Sequence, residues 1–440
     1  MFSAIGRIFR TPDLRTKIGF TLGIIALFRL GSFIPSPYVD FGNVQACLAA
    51  NQNTSGLYEL INVFSGGALL QLSIFALGIM PYITASIIVQ LLRVVIPHFE
   101  TLHKEGQAGQ SKLTQYTRYL TIALAVLQST TLITVARSGA LFGASADPTC
   151  QQLLTNDAWY AILLMVITMT AGTGLIMWMA ELVTERGVGN GMSLLIFTSI
   201  AAGFPRSLGA VYTAKGLNTL LLVLAVGLLV VALVVFVEQS QRRIPVQYAK
   251  RVVGRRTYGG NNTYIPIKVN MAGVVPVIFA SSLLYLPALI AQFNQPAAGE
   301  TPAEWVVWVT TYLTAGDHPF YMALFFLLIV GFTYFYVAIT FNPEEVADNM
   351  KRYGGFIPGI RAGRPTAEYL DYVLTRITLP GSLYLGFVAL LPLIALALAG
   401  ANTDFPFGGT SILIIVGVGL ETVKQIDSQL QQRHYEGLLR

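Results

Sequence analysis

The sequence predicts an all-α polytopic membrane protein of ten transmembrane helices, and three observations carry that reading. Lys and Arg number 28 and Asp and Glu 22 among 440 residues, so charged side chains make up 11% of the chain, against about 25% in soluble domains. Apolar residues make up 54%, too many for the little polar surface to cover in water. The apolar residues also gather in runs of about 20, the length a helix needs to cross a bilayer. Collagenous, coiled-coil, disordered and amyloid-like readings are excluded by the same composition. The 41 Gly and 20 Pro suit spanning helices, which tolerate both.

The runs fall near residues 18–36, 73–96, 117–136, 158–183, 191–212, 217–237, 271–292, 319–341, 377–399 and 410–427. Before the first lies a basic amphipathic segment, residues 1–17, with no small-residue cleavage site after the span that follows. It is expected to be an uncleaved interfacial helix. Lys/Arg bias sets the orientation. With the N-terminus in the cytoplasm, almost all basic residues lie inside. Only Arg137, Arg206 and Lys215 fall outside, and Arg29 sits within the first span. Both termini are then cytoplasmic, including the tail 428–440.

Five runs precede residue 214 and five follow it, giving halves 18–213 and 214–427. An odd number per half makes the second enter the membrane from the opposite face, a layout that frames substrate paths in transporters. The inversion rests on topology, because no internal sequence identity supports it.

Several segments depart from the plain pattern. Leu57–Leu69 is apolar but gives only ~20 Å of helix, too short to span. It is either an interfacial loop helix or a segment dipping back among protein. Pro81, Pro276 and Pro392 are expected inside spans two, seven and nine, where each removes a helical hydrogen bond and bends its helix. Arg29 is expected to snorkel to the interface. Thr84, Gln128 and Ser282 are modest polar groups in spans two, three and seven, each suited to an interhelical hydrogen bond worth about 0.6 kcal/mol. The spans carry no carboxylate at mid-depth; Glu181, Glu238 and Glu421 sit at their ends. Ion-coupled transport normally uses such groups, so a secondary transporter of a small solute is the weaker alternative.

Catalytic signals are missing. Glu105–Leu113 has a phosphate-loop look but the wrong lysine offset. His98, His103, His318 and His434 lack metal spacing, and neither a metal nor a cofactor is expected. Two cysteines, Cys47 and Cys150, are too few for a disulfide framework or a thiolate metal site. Both fall outside and are not expected to pair.

Two long cytoplasmic loops, 238–270 and 342–376, are the most unusual feature. The first holds Arg242, Arg243, Lys250, Arg251, Arg255, Arg256 and Lys268 against Glu238 alone. The second mixes Arg361 and other basic residues with carboxylates. Tyr248, Tyr258, Tyr264, Tyr353 and Tyr369 are interleaved. Loops of this length exceed ordinary connectors, and clustered Arg recognises phosphate and carboxylate. Docking to RNA or an acidic protein is the favoured reading over solvated charge.

Six long motifs carry a family likeness: 64–92, 185–197, 241–251, 269–282, 341–363 and 408–415. In order along the chain they resemble the bacterial SecY family, the channel subunit of the general protein translocon. The resemblance implies a central pore between the halves, in the bacterial cytoplasmic membrane. Its apolar ring would fall on Ile79, Ile83, Met192, Ile196, Ile278 and Ile414, with Met192 standing where isoleucine is usual. Leu57, Leu60, Ile61, Phe64, Ser65, Gly66 and Gly67 would belong to a plug helix, 57–69. A lateral gate to lipid would involve Pro81, Thr84, Gln128, Pro276 and Ser282. The basic loops, Arg361 above all, would dock the ribosome or the SecA motor ATPase. SecE and SecG are the implied small membrane subunits, and secretory precursors the implied cargo.

Overall fold

The structure, a computed structural model, describes residues 11–50, 65–137, 153–156, 158–248, 251–253, 256–258, 262–293, 303–314, 318–399 and 409–436. Every one of the ten apolar runs contains helix. The first half holds α1 (Pro12–Phe33), α2 (Phe41–Ala50), α3 (Met80–Val95), α4 (Pro97–Lys104), α5 (Gln107–Arg137) and α6 (Trp159–Arg186). One element, α7 (Gly191–Gln239), covers runs five and six. It breaks at Gly216, whose φ of 80° and ψ of 179° are not helical and suit a residue without a Cβ. Then come α8 (Val275–Phe293), α9 (Glu304–Val309) with a wide turn at Thr310–Thr314, α10 (Pro319–Thr340), α11 (Pro343–Arg352), α12 (Arg364–Ala399) and α13 (Gly409–Glu436).

Helix starts follow local chemistry. Pro stands at the opening of α1, α10 and α11, where its missing N–H costs nothing. Asn190 caps α7 by accepting from Met192 N at 3.1 Å. Asn342 caps α11 in the same way, with Glu344 and Glu345 in the first turn and Lys351 and Arg352 in the last. Both charge placements favour the helix dipole.

Among the described residues, six stretches are long and apolar enough to cross a membrane: Pro12–Phe33, Gln107–Arg137, Trp159–Arg186, Gly216–Gln239, Pro319–Arg352 and Arg364–Leu391. The second apolar run differs most from expectation. Helix covers only Met80–Val95, and residues 66–79 run as successive turns. Ala68, Leu69, Leu70, Leu72, Phe75, Ala76 and Leu77 along those turns are all buried, which is how irregular backbone persists in an apolar setting. Hydrogen bonds stitch it in place. Ser36 N donates to Leu72 O and Ile74 N to Ile34 O, each at 3.0 Å.

A second difference lies in the long loops, where sheet replaces irregular chain. β1 (Gln241–Tyr248) and β4 (Asn262–Lys268) pair antiparallel, Ile244 opposite Ile265. β2 (Arg251–Val253) and β3 (Arg256–Tyr258) form a separate ribbon at the tip. β5 (Gly355–Phe356) joins from the other loop, pairing Gln247 with Phe356, so the order is β4-β1-β5. Ile244, Val246 and Ile267 point into a small core with Met350, Ile357, Leu370 and Val373. Arg243 and Pro245 alternate outward, as a pleated strand requires.

Cys47 is disulfide-bonded, contrary to expectation; the one other cysteine, Cys150, lies outside the described residues. Cys47 sits on the buried face of α2 beside Val44, packed with Leu69, Leu70 and Leu72.

Candidate functional site

The six ring positions that the resemblance implies are spread over four elements of the chain. Met192 and Ile196 are four apart on one helix face, and Ile79, the residue before α3, stands four ahead of Ile83. Ile83 lies on α3 just after Ile79 at its cap, Met192 and Ile196 at the start of α7, Ile278 on α8 and Ile414 on α13. The structure brings all six to one apolar cluster. Ile79, Ile83, Ile196 and Ile414 are buried members, and half-buried Met192 and Ile278 pack against them. That cluster is continuous through both halves, including Phe28 of α1, Ile329 of α10 and Leu385 of α12. Among the described residues Glu238 is the only buried charged side chain, and its partner Asn270 lies at the base of the sheet.

α8 packs against both α3 and α5, which also pack on each other. Thr84, Gln128 and Ser282 are therefore on three adjoining helices and are buried at 3%, 3% and 1% exposure. Thr84 Oγ1 donates to Met80 O at 3.0 Å within its own helix. Gln128 Nε2 and Ser282 Oγ have no hydrogen-bond partner among the described residues. Each such atom costs about 1–3 kcal/mol. Neither atom makes the expected interhelical bond among the described residues.

Pro81 and Pro276 do not kink spans. Each stands in the first turn of its helix, α3 starting at Met80 and α8 at Val275, so neither removes a helical bond. Pro205 in α7 and Pro287 in α8 stand inside helices, as do Pro380 and Pro392 in α12.

Of the expected plug, Leu57, Leu60, Ile61 and Phe64 lie outside the described residues. Ser65 is buried and its Oγ accepts from Leu69 N at 3.1 Å. Gly66 O accepts from Arg29 Nη1 at 3.0 Å. Arg29 thus does not snorkel outward. Its guanidinium bridges α1 to this turn and rests 5.2 Å from the Phe33 ring centroid.

The basic loops converge, since β5 pairs with β1. Arg242 and Arg243 are exposed on β1, with Arg243 4.8 Å over the Tyr264 ring, a cation–π pairing. Arg361 is exposed in the turn before α12, braced where Thr366 Oγ1 donates to its carbonyl at 2.9 Å. Arg251 and Arg256 lie on β2 and β3; Lys250 and Arg255 lie outside the described residues. Tyr264 and Tyr353 are exposed on the same module.

Sequence reasoning missed three contacts. Arg118 makes a bidentate pair with Glu181, Nε to Oε1 at 2.9 Å and Nη2 to Oε2 at 2.6 Å, clamping α5 to α6. Glu238 accepts from Asn270, and Arg29 binds Gly66. Only the period-2 pattern around Ile244 and Val246 offered a signal for the sheet, and a search tuned to 20-residue runs passes over it.

Comparison with known proteins settles the family. The SecY family model matches residues 73–423. The protein translocase subunit SecY of Streptomyces scabiei is 63% identical and that of Micrococcus luteus 62%, each covering all of both chains. The chain belongs to the SecY family. Solved structures share the fold at low identity. One, described as a SecY protein whose plug domain stabilises the closed state and maintains a membrane seal, matches with a TM-score of 0.59 at 18% identity, covering 93% of this chain and 91% of its own. Another, an idle yeast Ssh1 complex bound to the yeast 80S ribosome, matches at 0.58 and 16%, covering 93% and 89%. Like other SecY-family members, the chain is a multi-pass membrane protein, and the six residues expected to form a ring lie in or against one apolar cluster.

Proposed function

We infer that this chain is the pore-forming subunit of a protein-conducting channel, passing unfolded secretory polypeptides across the bacterial cytoplasmic membrane and releasing transmembrane segments sideways into lipid. One observation carries the reading: Ile79, Ile83, Met192, Ile196, Ile278 and Ile414 converge from both halves on one apolar cluster. A constriction of flexible aliphatic side chains holds no ion and excludes water when closed. It parts around any polypeptide without binding one side chain specifically. The small-solute transporter is set aside, because family membership answers the five-plus-five layout and the spans supply no ionisable relay.

The halves 18–213 and 214–427 are read as inverted repeats with both termini in the cytoplasm. The sheet module then faces the cytoplasm with Arg242, Arg243 and Arg361 exposed on it. That charge suits ribosomal RNA or an acidic motor, and the ribosome-bound yeast relative supports the first. SecA would drive post-translational export, with SecE and SecG as companion subunits. The chain itself is read as a channel, not a catalyst. The seam of α3, α5 and α8 is the lateral gate, and residues 57–69 are the plug.

The test is reconstitution with SecE, SecG and SecA, scoring protease protection of a signal-bearing precursor on ATP addition. Protection that depends on this chain is expected. Its absence, with proton- or sodium-driven solute uptake in its place, returns the transporter.

A further inference from the structure

The excursion of chain that forms the sheet leaves α7 and re-enters the bundle through a very narrow base. α7 ends at Gln239 and β1 begins at Gln241; β4 ends at Lys268 and α8 begins at Val275. Three interactions close this base. Gln241 pairs with Lys268 in the strand register, Val269 N donates to Ser240 O at 3.0 Å, and Asn270 Nδ2 donates to Glu238 Oε1 at 2.6 Å. The same Asn270 amide also donates to Gly273 O at 3.0 Å, in the turn that leads into α8. One side-chain amide therefore fastens the end of α7 to the entry of α8.

The joint has a backstop and a reserve. Gly381 of α12 lies so close that a Cβ there would collide with the Val269 carbonyl oxygen, so only glycine lets α12 brace this turn. Asn270 and Glu238 are 3% and 9% exposed. Asn270 Oδ1 and, nearby on α12, Tyr384 Oη are buried without a hydrogen-bond partner among the described residues. A joint built for stability alone would satisfy both atoms. Two unmet groups beside a charged hydrogen bond leave a second bonding arrangement available, the property a two-state coupling element needs.

We propose that the Glu238–Asn270 hydrogen bond is the coupling joint that carries a displacement of the basic sheet into α8, the helix facing α3 and α5. This rests on the gate reading above. A partner that tilts the sheet against α7 must either drag the start of α8 with it or break this bond. Asn270 is a positioning residue: it touches no cargo and acts through α8.

The experiment places spin labels at Val95→Cys on α3 and Leu283→Cys on α8. Both positions are exposed. The labelled channel is reconstituted in proteoliposomes, ribosomes are added, and two quantities are read, the α3–α8 distance and ribosome binding. The unmodified joint is expected to give a distance shift on ribosome addition. Asn270→Leu and Glu238→Leu should bind ribosomes as before yet lose the shift. Glu238→Gln, which keeps an acceptor oxygen, should retain it. A shift that persists in both Leu variants overturns the joint. Loss of binding together with the shift also overturns it, since the pair would then only hold the sheet together. No shift even with the joint intact overturns the gate reading beneath it.

Discussion

Arg29 Nη1 donates to the carbonyl oxygen of Gly66 over 3.0 Å, joining the first spanning helix to the turn where the irregular segment begins. Gly66 is also wedged against Ser199 of α7, so that a Cβ there would lie 3.2 Å from the Ser199 Cα. The turn is held from two sides, and the charged donor makes the Arg29 bond stronger than a neutral one. Arg29→Leu removes the donor and leaves the Gly66 carbonyl unmet. Ion leak from reconstituted vesicles is expected to rise, and Arg29→Lys to restore the seal in part. An unchanged leak in the Leu variant makes Arg29 a packing residue only.

Shortening the ring should open it. Burial of an isoleucine contributes about 1.5–3 kcal/mol, and every 1.4 kcal/mol is tenfold in an equilibrium. Ile83→Gly, Ile196→Gly or Ile278→Gly is therefore expected to raise the open fraction by about tenfold or more. Single-channel recording without a partner measures it, and an open fraction unchanged in all three removes the ring assignment.

At the seam the sign reverses. Gln128→Leu and Ser282→Ala delete buried groups that lack partners, each worth about 1–3 kcal/mol. The closed seam should tighten. Export of precursors with weakly apolar signal sequences is expected to fall, while strongly apolar signals still pass. Improved export of the weak signals would show that both groups serve the closed state.

Arg118 and Glu181 clamp α5 to α6 through two parallel bonds. Arg118→Ala leaves the largely buried Glu181 carboxylate alone, and the detergent-solubilised channel should melt several degrees lower. Lysine cannot reproduce the fork, so Arg118→Lys should recover only part of the loss.

On the sheet module, Arg361→Glu reverses an exposed charge in a turn held by Thr366. Membrane assembly should be normal and export of secreted precursors blocked. Normal export would reduce this turn to solvated charge.

The apolar runs and the Lys/Arg asymmetry suffice to read a multi-pass membrane bundle, because the bilayer imposes its length and polarity on each span separately. The ring positions Ile79, Ile83, Met192, Ile196, Ile278 and Ile414 follow from likeness to a family and not from any local pattern, since nothing in their own segments marks them among so many other aliphatic side chains. Other features needed distant chain to meet. Residues 66–79 are apolar enough for a spanning helix but run as turns, with Ile34 and Ser36 supplying hydrogen bonds to Ile74 and Leu72 from distant chain. Pro81 and Pro276 look like kinks only until the helix starts at Met80 and Val275 are known. Arg29 reads as a snorkelling cation until Gly66 supplies a carbonyl 37 residues away. Pairing of β1 with β5, and of Glu238 with Asn270, depends on which surfaces the packed helices leave adjacent, and no local pattern encodes that.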